Sequence, residues 1–108
     1  MSKYHSTKTV IDGITFDSKK EADRYAELKL LQKAGQISEL ILQPEYTLQP
    51  QFVRDGKKIQ PIKYRGDFAY IEGDKVVVED VKGFKTKEYA IKRKMFLYQY
   101  PMIDFREV

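Results

Sequence analysis

Two aspartates and a lysine are the residues of this chain whose types and spacing could do chemistry. Asp80 and Lys82 form an Asp-x-Lys pair, and Asp67 lies before them, across Gly73-Asp74. If Gly73-Asp74 are the loop residues of a hairpin, Glu72 faces Lys75, Ile71 faces Val76, Ala69 faces Val78 and Asp67 faces Asp80. Side chains alternate along a strand, so Asp67, Asp80 and Lys82 fall on one face. Opposed carboxylates repel and need a proton, a cation or a cationic side chain. A hard ion such as Mg²⁺ suits them, because it takes carboxylate oxygens and keeps waters for a phosphate. Lys82 could then steady a phosphate oxygen or a metal-bound water, and these parts together serve phosphodiester hydrolysis. Taken alone, Asp-x-Lys is an ordinary surface charge pair. A loop longer by one residue would also shift the register and set Glu79 or Val81 against Asp67. Glu79, with Val77 and Val81 on the other face, reads as structural.

Glu21 is a fourth candidate. Ser18-Lys19-Lys20-Glu21 has the capping-box spacing, which makes Glu21 a helix-terminus glutamate. The same residue falls with Tyr25 and Leu28 on a partly apolar helical face turned toward the sheet, where a carboxylate could complete an acidic pocket.

The elements that must position these groups can be read from turn and cap signals. The spacing predicts an extended piece over 10–16 around Asp12-Gly13, then a helix from Asp17 or Ser18 to Ala34, stopped by Gly35. A β-rich stretch broken by Pro44, Pro50 and Pro61 follows, with a hairpin turn at Asp55-Gly56. Strands are expected over 64–71 and 75–82. A second helix over 86–99 carries Ile91, Met95 and Tyr98 on one face. Pro101 ends it, and 102–107 form a last strand. The final strand–helix–strand passage is long enough for a parallel crossover. The expected class is α/β with a mixed sheet. Residues 1–10 read as a flexible basic tail and 11–108 as a single domain.

Composition narrows the function classes. The chain has 108 residues, enough for one core. It lacks cysteine, so disulfides and thiolate metal sites are excluded. One histidine, His5, argues against His-built sites. No apolar run is long enough for a membrane span and no secretory leader is evident, so the expectation is a cytoplasmic protein without a membrane partner. Twenty basic residues against sixteen acidic leave a net charge of +4. Between 82 and 94 the charges are Lys82, Lys85, Lys87, Lys92, Arg93 and Lys94 against Glu88 alone. That stretch is either a solvated face or a phosphate-binding surface.

Four segments carry a family resemblance: Phe16-Asp17-Ser18-Lys19-Lys20-Glu21-Ala22, Leu42-Gln43-Pro44, Gly66-Asp67-Phe68 and Val78-Glu79-Asp80-Val81-Lys82-Gly83. Together they resemble a group of small phage and prophage proteins placed in the PD-(D/E)xK nuclease superfamily. The arrangement is similar to archaeal Holliday-junction resolvases and transposase endonuclease subunits. The resemblance implies a restriction-endonuclease-like αβββαβ core, a mixed central sheet flanked by helices. It implies Asp67 and Asp80 as motif acids, Lys82 as the motif lysine and Glu21 as the first-helix glutamate. Mg²⁺ or Mn²⁺ would be bound by Asp67, Asp80, Glu21 and the backbone carbonyl of Val81. Gly66 stands where the name-giving proline would be. Lys85, Lys87, Lys92 and Lys94 become DNA-contact candidates. Gln43 is a further site residue or a buried structural glutamine beside Pro44. The implied activity is DNA cleavage in phage recombination, replication or packaging; a DNA-binding module without catalysis is the competing expectation. A homodimer suits so small a domain, with Tyr98 and Tyr100 available to an interface or to the core.

Overall fold

A computed structural model describes residues 8–81 and 85–108. The first expected turn forms a hairpin, β1 (Thr9–Ile11) against β2 (Ile14–Phe16), with Ile11 opposite Ile14. Asp12 and Gly13 both take positive φ, as a tight two-residue turn requires. Thr9, expected in the tail, and Val10, expected to open the extended piece, therefore belong to a paired strand; residues 1–7 of that tail lie outside the described residues. Helix α1 (Lys19–Lys33) begins at the Ser18 cap, whose Oγ accepts the Glu21 N–H at 3.1 Å, and Gly35 follows its end at positive φ.

The chain then makes one long antiparallel ribbon. Its base is β3 (Ser38–Leu42) on β8 (Phe68–Glu72), its middle β4 (Glu45–Gln49) on β7 (Ile62–Arg65) and its tip β5 (Phe52–Arg54) on β6 (Lys57–Ile59). Base and middle share a register. The Gln43 N–H to the Asp67 carbonyl (2.9 Å) and the Gly66 N–H to the Pro44 carbonyl (3.0 Å) join them. The expected strand over 64–71 is thus broken at Gly66-Asp67. Pro44 supplies no N–H to a regular ladder there. Gly66 is packed so closely that a β-carbon would meet Val78 Cγ1 at 3.0 Å.

From β8 the chain turns at Gly73-Asp74 into β9 (Lys75–Asp80), with Glu72 opposite Lys75 and Ala69 opposite Val78, as the hairpin count expects. Helix α2 (Lys87–Gln99), capped by Thr86, returns the chain to β10 (Asp104–Glu107), which pairs parallel to β9. The main sheet runs β10-β9-β8-β3, a mixed sheet between two helices.

Alternation divides the core. Phe68, Tyr70 and Val77 pack with Phe16, Ala22, Tyr25 and Leu28 of the α1 layer. Ala69 and Val78 pack with Leu48, Tyr64 and Phe96 on the α2 layer. The α2 face departs from expectation. Ile91 is exposed and Tyr98 is 84% exposed, while Phe96 is fully buried. Tyr46, Tyr64, Tyr100 and Phe105 have ring centroids 5.0–5.6 Å from Phe96. An aromatic cluster of this kind outweighs the aliphatic stripe. Tyr100 joins it and donates to the Thr47 carbonyl at 2.8 Å. No described helix is long and apolar enough to cross a membrane.

Candidate functional site: an acidic pocket at the end of the central hairpin

Asp67 sits just past the last regular pair of the β8–β9 ladder, Phe68 opposite Glu79. Its N–H donates to the Glu79 carbonyl at 3.0 Å, and its Oδ2 accepts the Val81 N–H at 2.6 Å. The expected direct opposition to Asp80 is therefore replaced by a slip of one residue. The side chain still reaches the peptide that follows Asp80. The slip arises where the ribbon bends between Pro44 and Gly66, a constraint from outside the hairpin.

Glu21 reaches the same place from α1. Its backbone N–H serves the Ser18 cap, while its buried side chain stands close enough to act on Asp67 by like charge. Glu21 and Asp67 line a cleft of about 390 Å³ with Phe16, Asp17, Leu42 and Gln43. Gln43 is exposed and at positive φ, so it lines this cleft rather than filling the core.

Asp80 approaches from the α2 side. Its Oδ2 accepts the Tyr64 hydroxyl at 2.6 Å. Parallel pairing sets Glu107 beside it. Glu107 is held by the Tyr89 hydroxyl, by Lys85 at 3.3 Å and by Arg93 at 3.4 Å.

The electrostatics follow from burial and like charge. Desolvation pushes the Asp67 carboxyl up to about 7; the Val81 amide pulls against this, and Glu21 and Asp17 add to the rise. Desolvation likewise pushes Asp80 up to about 6, with the Tyr64 bond and Lys85 lowering it and the charges of Asp67 and Glu107 raising it. Two half-buried acids with acidic neighbours are groups that could engage a hard cation. The three carboxylates do not converge, however: among the described residues no group of three His, Cys, Asp or Glu forms a ready metal cage. Mg²⁺ does not require one, since it is commonly held by one or two carboxylates with waters and phosphate completing the shell.

Beneath the pocket Glu79 is fully buried. Arg24 of α1 donates to both its oxygens, at 2.7 and 2.5 Å, and the Tyr70 hydroxyl donates a third bond. Glu79 is thus a clamp between α1 and β9.

Lys82 lies outside the described residues. Val81 is half-buried, its N–H committed to Asp67. Among the basic candidates, Lys85 meets Glu107, Lys92 meets Glu88 at 3.0 Å, and Lys87 and Lys94 are exposed on α2. Sequence reasoning missed Tyr64, Glu107 and Arg24. Glu107 could have been found by continuing the parallel register; Tyr64 could not, because the ribbon bend brings it to Asp80.

Fold and pocket together define an α/β protein with partly buried acids at one end of a mixed sheet. The chain belongs to the family described as protein of unknown function (DUF1064), which matches residues 1–108. No curated protein matches the sequence.

Proposed function

We propose that this protein is a divalent-metal-dependent DNA nuclease of the PD-(D/E)xK type, in which Asp67 and Asp80, at the end of the β8–β9 hairpin, serve phosphodiester cleavage. One observation carries the reading. The half-buried Asp67 carboxylate accepts the Val81 N–H at 2.6 Å, and besides partial burial and that amide the groups acting on it are two acids, Glu21 and Asp17. A carboxylate so surrounded favours a cation. The order of α1, β3, β8, β9, α2 and a parallel β10 is compatible with a restriction-endonuclease-like core and supports the same assignment.

Asp67 and Asp80 would hold Mg²⁺ or Mn²⁺, with Glu21 and the Val81 carbonyl at its margin. When bound, such an ion polarises a phosphodiester and acidifies a water. Tyr64 orients Asp80, the Val81 amide orients Asp67, and Lys82 would steady the phosphate. A DNA partner fits the basic residues along α2 and β7, and work on phage DNA in the cytoplasm is the setting the resemblance suggests. A homodimer would let two such pockets act on opposite strands.

A panel of duplex, single-stranded, flap, nicked and four-way-junction DNA tests the activity. Wild-type protein should cut at least one form with Mg²⁺ or Mn²⁺. Asp67→Ala and Asp80→Ala should abolish cleavage while keeping a cooperative melt. Inertness on every form, with no divalent binding by titration calorimetry, overturns the proposal. The groove where Lys63, Arg65 and Lys92 meet favours one alternative, a DNA-binding module without catalysis. That protein would bind in a salt-dependent way, indifferent to chelator.

A further inference from the structure

Beyond Pro44 and Gly66 the ribbon leaves the main sheet as an arm. At its base a groove of about 480 Å³ separates it from α2, with Lys63, Arg65 and Lys92 on its walls beside Glu45 and Glu88. Tyr64 also lines this groove and donates to Asp80, so the groove borders the residue that holds one of the two acids.

Every residue of the tip, β5 and β6, is exposed. Phe52 pairs across the strands with Ile59, and Arg54 pairs with Lys57, so an apolar pair and a basic pair share one face. Val53 is 68% exposed, Phe52 41% and Ile59 38%. An isolated two-stranded hairpin is marginal in water. Its apolar side chains add little to folding where they stand, and a partner could bury them. The charge says which partner. Residues 51–65 carry Arg54, Lys57, Lys58, Lys63 and Arg65 against Asp55. A second copy meeting it tip to tip would set these cations against one another, whereas a polyanion matches them.

We infer that the arm grips duplex nucleic acid at an interruption of the base stack. Arg54 and Lys57 hold phosphates beside the base step, Lys58 reaches the flanking backbone from the other face of the tip, and Phe52 and Ile59 seat against the exposed base faces. Apolar wedges enter base steps most cheaply where stacking is already broken. The inference rests on the proposed function for its nucleic-acid partner, but not on cleavage. A nick, bulge or branch would be held at the tip while the adjoining backbone follows the groove toward Asp80.

Fluorescence anisotropy tests this with full-length protein, chelator present, on an intact duplex and on the same duplex carrying a central nick. Wild-type protein should prefer the nicked form about tenfold. Replacing Arg54, Lys57 and Lys58 together by alanine should weaken binding to both forms alike and lower the slope of log affinity against log salt by about three. Phe52→Ala should keep the affinity for intact duplex and lose the preference for the nick, whereas Phe52→Tyr, which keeps an aromatic face, should retain it. Wild-type protein that binds neither DNA overturns the inference, as do variants with unchanged affinity, slope and preference. A wild-type dimer that these substitutions dissociate, with DNA affinity unchanged, assigns the tip to a second copy and also overturns it. Protein that binds as expected yet cuts nothing in the cleavage panel leaves the arm's role standing and removes the nuclease.

Discussion

A carboxyl whose pKa is higher in the folded chain than in the unfolded one opposes folding once it ionises. Asp67 and Asp80 are such groups, raised to about 7 and about 6 chiefly by burial, whereas an unfolded aspartate titrates near about 3.9. Their contribution to stability is complete below the unfolded value and is lost as pH rises through the folded values. Asp104 and Glu107 shift downward, Asp104 through its bond from Arg106 and Glu107 through its bond from Tyr89. Their contribution is complete above about pH 5, where unfolded carboxyls are already ionised. Between about pH 5 and pH 7 the melting temperature should therefore fall. The double variant Asp67→Asn/Asp80→Asn should flatten that fall. Mg²⁺ should restore stability at the upper end, since a ligand that binds only the folded chain stabilises it by mass action. A melting temperature that is flat across this range in the wild type, measured by circular dichroism, would contradict the electrostatics of the pocket.

At the scale of elements, the clamp between Arg24 and Glu79 decides where Glu21 stands. Arg24 and Glu21 lie one turn apart on α1, and Glu79 precedes Asp80 on β9. One buried contact thus fixes the helix that brings one acid against the strand that carries another. Removing one partner of a buried pair leaves an uncompensated charge, at a cost of about 3–5 kcal/mol. Arg24 is partly exposed, so Arg24→Ala should lie near about 3 kcal/mol by urea denaturation. Arg24→Met/Glu79→Met, which removes both charges and keeps the volume, should recover most of that loss. The same single variant should weaken Mg²⁺ binding in the calorimeter. If the double variant is no more stable than Arg24→Ala, the buried charge is not what the clamp neutralises.

The whole molecule is broad and thin, 52 × 43 × 23 Å, and unevenly stabilised. Apolar burial lies in two clusters, one on each face of the main sheet, and the tip of the ribbon belongs to neither. Hydrogen exchange should show it. Amides of β5 and β6 should exchange through local opening, far faster than those of β8 and β9, which should exchange near the global limit. Bound nicked duplex should slow the tip amides. Tip amides as protected in the free protein as those of the central strands would mean that the arm is not an independently opening element.

Much of this architecture was legible in local chemistry. Ser18 and Gly35 bound a helix because a cap and a left-handed stop act within a few residues. Asp12-Gly13, Asp55-Gly56 and Gly73-Asp74 turn the chain because two-residue turns favour such pairs. The last of these set the β8–β9 register, and with it the vicinity of Asp67 and Asp80. What local spacing does not encode is which competing long-range contact prevails. Tertiary packing chose Phe96 over Ile91 and Tyr98 as the buried side of α2, because an aromatic cluster from other strands was waiting there. It also broke the strand at Gly66-Asp67, slipped Asp67 by one residue, exposed Gln43, and brought Tyr64, Glu107 and Arg24 to the acids. Turns and caps depend on neighbours along the chain, so sequence alone determined them. The slip and the clamp depend on groups that meet only after the sheet and helices have packed, so only the tertiary structure decided those.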